Sequence, residues 1–167
     1  MNLGNVTEAS HGVLHSINVS DGGVPKTPKP WAHVRANGVE GDRQDDIRYH
    51  GGLDRAVCLY SLDLIEALQG EGHPISAGSI GENLTLDGID WGQVRADARV
   101  EIGEVVLEIT TATSPCTKIA GAFRDGEFVR VSQKVHPGWS RFYARVLREG
   151  IVNVGDRVVL KSPDLLF

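Results

Sequence analysis

Residues 105–118 read VVLEITTATSPCTK. The first half alternates, with Val105, Leu107 and Ile109 on one face and Val106, Glu108 and Thr110 on the other. A period of two is the signature of a strand whose two faces meet different surroundings. The pattern ends at Thr111-Ala112-Thr113-Ser114, and Pro115, lacking an amide hydrogen, bars further ladder pairing. Cys116 follows, with Lys118 two positions on. A thiol on a loop at a strand exit, among hydroxyls and near a cation, stands where rigid scaffolds usually present reactive groups. The cation also favours the thiolate, the form that attacks or binds metal. On these residues alone the plainer alternative, an inert buried loop cysteine, stays open.

Working outward, strands recur. Arg99–Ile102 pairs with the opening strand in a hairpin about Gly103. Gly12–Val19 reads as a first strand with Val13, His15, Ile17 and Val19 on a common face. Trp31–Val39 reads as one short strand closed by Gly38, and Ala56–Tyr60 as a strongly apolar one. Ser79–Leu86 is a glycine turn entering a strand, and Arg141–Leu147 and Asp156–Lys161 complete the set. Val24–Pro30 is extended and proline-rich, and its Lys26 and Lys29 read as solvated charges. Helical signals are few. Ser61 is a good N-cap for a helix carrying Leu62, Ile65 and Leu68, stopped by Gly70, Gly72 and Pro74. Asp87–Val94 is a turn followed by one helical turn, and Lys118–Phe123 and Glu127–Val135 are predicted as short helices. Consecutive short strands with small helices between them predict a mainly β protein. The expected form is an antiparallel barrel or curled sheet with short flanking helices. Residues 1–10 lack a pattern and are expected to be disordered, with one domain over 11–167.

Composition narrows the function. The net charge is −5 with no basic stripe, which argues against a nucleic-acid surface. No 18-residue apolar run exists, so no membrane-spanning helix is expected. The N-terminus lacks a basic region followed by an apolar core. The two cysteines, far apart in a chain without a secretion signal, point to free thiols in a reducing, cytoplasmic setting. Cys58, inside AVCLY, reads as a small apolar core residue. The six histidines occur singly, without HExxH or CxxC, against a zinc site made by protein alone.

Residues 40–55, EGDRQDDIRYHGGLDR, form the second unusual stretch. Gly51-Gly52 bares backbone amides, and Arg43, Arg48 and Arg55 can grip phosphate or carboxylate with paired donors. The aspartates between them equally allow a self-neutralising loop. His50 is a candidate proton donor or hydrogen-bond anchor. Glu82 and Asn83 lie at a strand mouth, as site residues or as side chains holding a turn. One thiol, several arginines, bare amides and hydroxyls suit an anionic cofactor carrying a group that reacts with or binds sulfur.

The runs GVEGDRQ at 38–44, HGGLDRAVCLY at 50–60, SIGENLTLDG at 79–88, SPCTK at 114–118 and HPGWS at 136–140 resemble a MOSC domain. That module is named for the C-terminal part of molybdenum cofactor sulfurase, and the resemblance is to its small stand-alone bacterial members. It implies a β-barrel-like fold and makes Cys116 the functional cysteine, as a ligand of molybdenum held on a pterin dithiolene. It further implies that Arg43, Arg55, Lys118 and the Gly51-Gly52 amides hold the cofactor's phosphate and pterin oxygens. Asn83, Thr113, Ser114 and His50 stand as further candidates. The family often has arginine before SPC; this chain has Thr113, which removes one cation. The activity implied is reduction of a small N-hydroxylated compound, and a separate electron-donating reductase is expected, since the chain has no flavin or nicotinamide fingerprint. A sulfur carrier through a Cys116 persulfide, a non-enzymatic molybdenum cofactor carrier and a degenerate module are the alternatives. Pyridoxal phosphate is not expected, because the sulfurase half that binds it has no counterpart here.

Overall fold

The computed structural model describes residues 8–43 and 52–165. Eleven strands are assigned among them. They are β1 (Ser10–Val19), β2 (Thr27–Lys29), β3 (Trp31–Arg35), β4 (Gly38–Val39), β5 (Val57–Ser61) and β6 (Leu84–Asp87). They continue with β7 (Arg99–Ile102), β8 (Val105–Ala112), β9 (Phe142–Arg148), β10 (Gly150–Asn153) and β11 (Arg157–Lys161). One α-helix, α1 (Leu62–Gly70), follows β5. Around the barrel the order is β11-β7-β8-β9-β5-β6-β1, and β1 pairs back onto β11 to close seven strands. Closure leaves these strands no free edge. β2 adds to β1, and β10-β3-β4 form a small second sheet.

All the strand pairings but β5–β6 are antiparallel, and that parallel pair is bridged by α1. Ser61 caps α1 as its sequence predicts, its side chain accepting the Leu64 amide at 3.2 Å. Ile65 and Leu68 bury the inner face of α1 in the barrel core. Inside the barrel, Leu107 and Ile109 of β8 pack with Val57, Leu59, Leu84, Val100, Ala144 and Val158, all buried.

The mainly β barrel expected from sequence is what forms. Local readings differ in instructive ways. In β1 a register shift between Leu14 and Ser16 turns the strand over. Val13 is therefore 45% exposed while Leu14, Ile17 and Val19 are buried, and the predicted common face breaks at His15. A one-residue bulge has that effect because side chains alternate with period two. Trp31–Val39 is a hairpin rather than one strand, with Val34 opposite Val39. Gly38 opens β4 opposite Arg35 at φ +131°, where a Cβ would stand 2.8 Å from the Ala56 carbonyl oxygen. Lys118–Phe123 forms as a 3-10 segment over Thr117–Ala122. In place of the Glu127–Val135 helix only a 3-10 turn, Phe128–Val131, appears. Three valines weaken that stretch as a helix, and Arg130 holds the turn instead through Glu71 at 2.8 Å and the Trp139 ring at 3.9 Å. β10 escaped the sequence reading; it pairs with β3, Ile151 opposite His33. Residues 1–7 lie outside the described part, and Ser10 already opens β1.

Gly12 marks the barrel seam, where β1 leaves β11 for β6. A Cβ there would stand 2.1 Å from the Asp87 carbonyl oxygen. Gly12→Ala is expected to destabilise the fold by about 1–3 kcal/mol or more. Urea unfolding at constant m-value checks this, and a midpoint equal to wild type would contradict the close approach.

Candidate functional site

The exit of β8 is fixed to the entrance of β9. The Thr113 amide donates to the Arg141 carbonyl at 3.0 Å, and the Ser140 hydroxyl donates to the Thr113 carbonyl at 3.1 Å. The loop bearing Cys116 therefore emerges beside Arg141. Cys116 is half-buried, and its carbonyl accepts the Ile119 amide at 3.1 Å, which starts the 3-10 segment.

A pocket opens at this end of the barrel. Ser114, Cys116 and Lys118 line one side. Cys58 of β5 and Tyr143 of β9, paired across the strands, line another together with Arg141. Gly81 and Asn83 come from the turn before β6, and Lys26 and Arg43 from the N-terminal third. The described lining residues thus include four cations and no carboxylate.

Beneath the pocket runs a satisfied polar network. Asp42 accepts from the Ser20 amide at 3.0 Å, from Lys26 at 2.7 Å and from Asn83 Nδ2 at 2.9 Å. Asn83 Nδ2 also donates to the Asn18 carbonyl at 3.3 Å, and its Oδ1 accepts the Cys58 amide at 3.0 Å. Asn83 so ties β1, β5 and the Asp42 segment with one amide group. Asn18 Nδ2 donates to Thr85 Oγ1 at 3.2 Å, and Thr85 donates to Glu82 at 3.3 Å. The other Glu82 oxygen accepts the Gly78 amide at 2.9 Å.

Burial shapes the ionisation of this region. It pushes the Cys58 thiol up to about 11 and the Tyr143 phenol up to about 12, so both are neutral near neutral pH. Tyr143 stands opposite Cys58 across the two strands, and both line the pocket with Cys116. Glu82, wholly enclosed, is pushed up to about 7, with Arg141 partly opposing the effect of burial.

Residues 46–159 match the sequence model of the MOSC domain. The chain belongs to the MOSC domain family. This family is associated with binding of the molybdenum cofactor. The MOSC chain is 34% identical over 145 residues to the uncharacterized protein YflK of Bacillus subtilis, an alignment covering 84% of this chain and 63% of YflK. It is 30% identical over 107 residues to protein YiiM of Escherichia coli, covering 61% of this chain and 48% of YiiM. It therefore spans about half to two thirds of the length of these curated relatives. The crystal structure of YiiM from Geobacillus stearothermophilus superposes with a TM-score of 0.69 at 27% identity, over 89% of this chain and 74% of that one. The YUAD protein of Bacillus subtilis shares the fold, with a TM-score of 0.71 at 16% identity over 93% and 98% of the two chains.

Of the site residues expected from sequence, the MOSC fold brings Arg43, Asn83, Ser114, Cys116 and Lys118 to one pocket. Arg55 stands behind it, its guanidinium 5.6 Å from the Tyr143 ring centroid. Gly52 precedes a 3-10 turn at φ +93° and is not among the lining residues. Thr113 is buried and turned inward, its hydroxyl without a partner among the described residues. His50, Gly51 and Arg48 lie outside the described residues. Asn83 lines the pocket, but its amide is committed to the network, so it shapes the wall rather than offering donors. One sequence reading needs correction and one an addition. Lys26 is no solvated charge: its side chain is 9% exposed and paired with Asp42, which docks only when the segment after β4 folds onto β1. Cys58 is buried, as read, but it also lines the pocket. Arg141 and Tyr143 were missed as site residues; the strand pattern RFYARVL carries no sign of which face looks into a pocket.

Glu82 makes stability depend on pH. Its folded pKa of about 7 exceeds the ordinary carboxyl value of 4.5 that holds in the unfolded chain, so the folded state binds more protons between those limits. Its contribution is fully present below the unfolded value and is lost as pH rises through about 7. Between pH 5 and 7 the stability difference from Glu82→Gln is expected to change by up to about 1.4 kcal/mol per pH unit. Chemical unfolding of both proteins across that range checks it, and parallel profiles would refute it.

Proposed function

We propose that the pocket binds the molybdenum cofactor with Cys116 as ligand to the metal, and that the loaded protein reduces small N-hydroxylated compounds. The supporting observation is the gathering of a half-buried thiol with four cations and no lining carboxylate among the described residues. The donor set fits the group. A soft thiolate suits a higher-valent metal already carried by a cofactor, and the cations suit phosphate and pterin oxygens. When bound, the molybdenum centre supplies the two-electron reduction that removes oxygen from an N–OH group.

The chain's own residues bind and orient. Cys116 anchors from the rim, on a backbone pinned through Thr113 to β9. Lys118 and Arg43, both exposed and both lining the pocket, attract the anionic parts of the cofactor. Ser114 offers a hydroxyl, and the amides of Gly51 and Gly52 are the proposed backbone donors. Arg55 steadies the wall through the Tyr143 ring. Tyr143, held neutral by burial, keeps its phenolic proton at neutral pH and forms part of the pocket wall. His50 is the proposed proton donor to the departing oxygen. Electrons reach the site from a separate reductase of the host, and the cytoplasm, which keeps both cysteines as free thiols, is the proposed compartment.

Protein freshly purified from a cofactor-producing host is expected to hold close to one molybdenum per chain. Cys116→Ser should lose nearly all of it while melting within a few degrees of wild type. Metal-free wild type whose treatment with cyanide releases thiocyanate would replace this reading by a sulfur carrier using a Cys116 persulfide. Metal retained without reductase-coupled turnover of any N-hydroxylated substrate would leave a cofactor carrier.

A further inference from the structure

Arg141 is 8% exposed and lines the pocket, yet little in the structure answers its charge. Its Nη1 donates to the Ile80 carbonyl at 2.6 Å. Its Nε is buried and has no acceptor among the described residues. It forms no ion pair among the described residues. Glu82 lies near enough to feel its field, but the Glu82 oxygens are engaged by Gly78 and Thr85. The other cations are placed differently. Lys26 is neutralised by Asp42, Arg43 is 74% exposed and leans toward Asp21 at 4.0 Å, and Lys118 is exposed.

A buried guanidinium without a counter-ion among the described residues is costly, because it has left water. Such a group is stabilised when a ligand brings the missing negative charge. The planar fork of arginine matches two oxygens of a phosphate or carboxylate, which a lysine at the same place could meet only as a point charge. Arg141 is also held in place on two sides, by Ile80 through its side chain and by Thr113 through its carbonyl. The latter bond ties it to the loop that carries Cys116.

We propose that Arg141 is an oxyanion-binding residue of this pocket, its guanidinium, which has no carboxylate partner among the described residues, pairing with a phosphate or carboxylate group of the bound molecule. This rests on reading the pocket as the functional site. The oxyanion has two possible sources with shared chemistry, a terminal phosphate on the cofactor or an acidic substituent on the substrate.

Two measurements decide it. First, the apo-protein is titrated with sodium phosphate against sodium chloride at matched ionic strength. The wild-type melting temperature is expected to rise by about 2–4 °C near saturation, and the Arg141 Nε–Hε resonance to move with the same midpoint. Arg141→Gln should lose the thermal response and Arg141→Lys should keep part of it. An equal response in wild type and Arg141→Gln, or a still Nε–Hε resonance in wild type, overturns the proposal. The resonance decides alone if the variants do not fold. Second, bound pterin and molybdenum are measured after expression in a cofactor-producing host. At least about a tenfold loss of pterin in Arg141→Gln assigns the anion to the cofactor. Unchanged pterin with about a tenfold rise in KM for an acidic N-hydroxylated substrate, and none for a neutral one, assigns it to the substrate. Unchanged pterin with unchanged KM for both overturns it. Wild type lacking pterin and molybdenum would refute the molybdenum reading, and the phosphate titration would still decide Arg141.

Discussion

The site hangs on one side chain, Asn83. Its amide accepts from the Cys58 backbone, donates to the Asn18 carbonyl and donates again to the Asp42 carboxylate. Those bonds join β5, β1 and the segment after β4 at the end of the barrel where regular pairing gives out. A barrel mouth leaves backbone groups without strand partners, and buried ones must be satisfied by something else. Asn83 does this and in doing so brings Asp42 inward, which recruits Lys26 at 2.7 Å. Arg43, next in the chain, is thereby carried to the pocket rim. The network is closed, so its members set geometry and leave ligand recognition to other groups.

Against that satisfied floor stand two groups that are not at ease. Glu82 is enclosed so fully that its proton affinity rises toward neutrality, and Arg141 keeps an unanswered Nε. Each lies on an outcome of the same burial: a low-dielectric surround penalises the charged form of an acid and makes an unpaired cation expensive. Proteins store such costs where function needs them. The thiols differ in the same terms. Cys58 is enclosed and stays protonated, while Cys116 is half-buried on a loop fastened to β9. Position, more than residue type, separates the two cysteines.

Most of the barrel was legible because its signals are local. The alternation in β8, the Gly103 hairpin with β7 and the Ser61 cap of α1 each depend on a few adjacent residues. What failed locally failed for stated reasons. A bulge in β1 reverses the face of every residue before it, and nothing in GVLHSINV announces an extra residue. Short segments such as Glu127–Val135 lack the length to hold a helix by propensity, so tertiary partners chose a 3-10 turn instead. β10 is defined by its pairing with β3, across more than a hundred residues, and has little pattern of its own.

By itself the sequence determined that this chain is mainly β, that Cys116 sits on a loop at a strand exit, and through its runs of glycine, arginine and SPC that it is a MOSC domain. Only the tertiary structure decided which cations share the pocket. It answered Lys26 with Asp42, left Arg43 at the rim, turned Thr113 inward and set Arg141 and Tyr143 beside the thiols. The physical reason is that charge and burial are properties of surroundings. A lysine reads the same in a chain whether water or a carboxylate faces it, and an arginine on an alternating strand gives no hint that its neighbours will close over it.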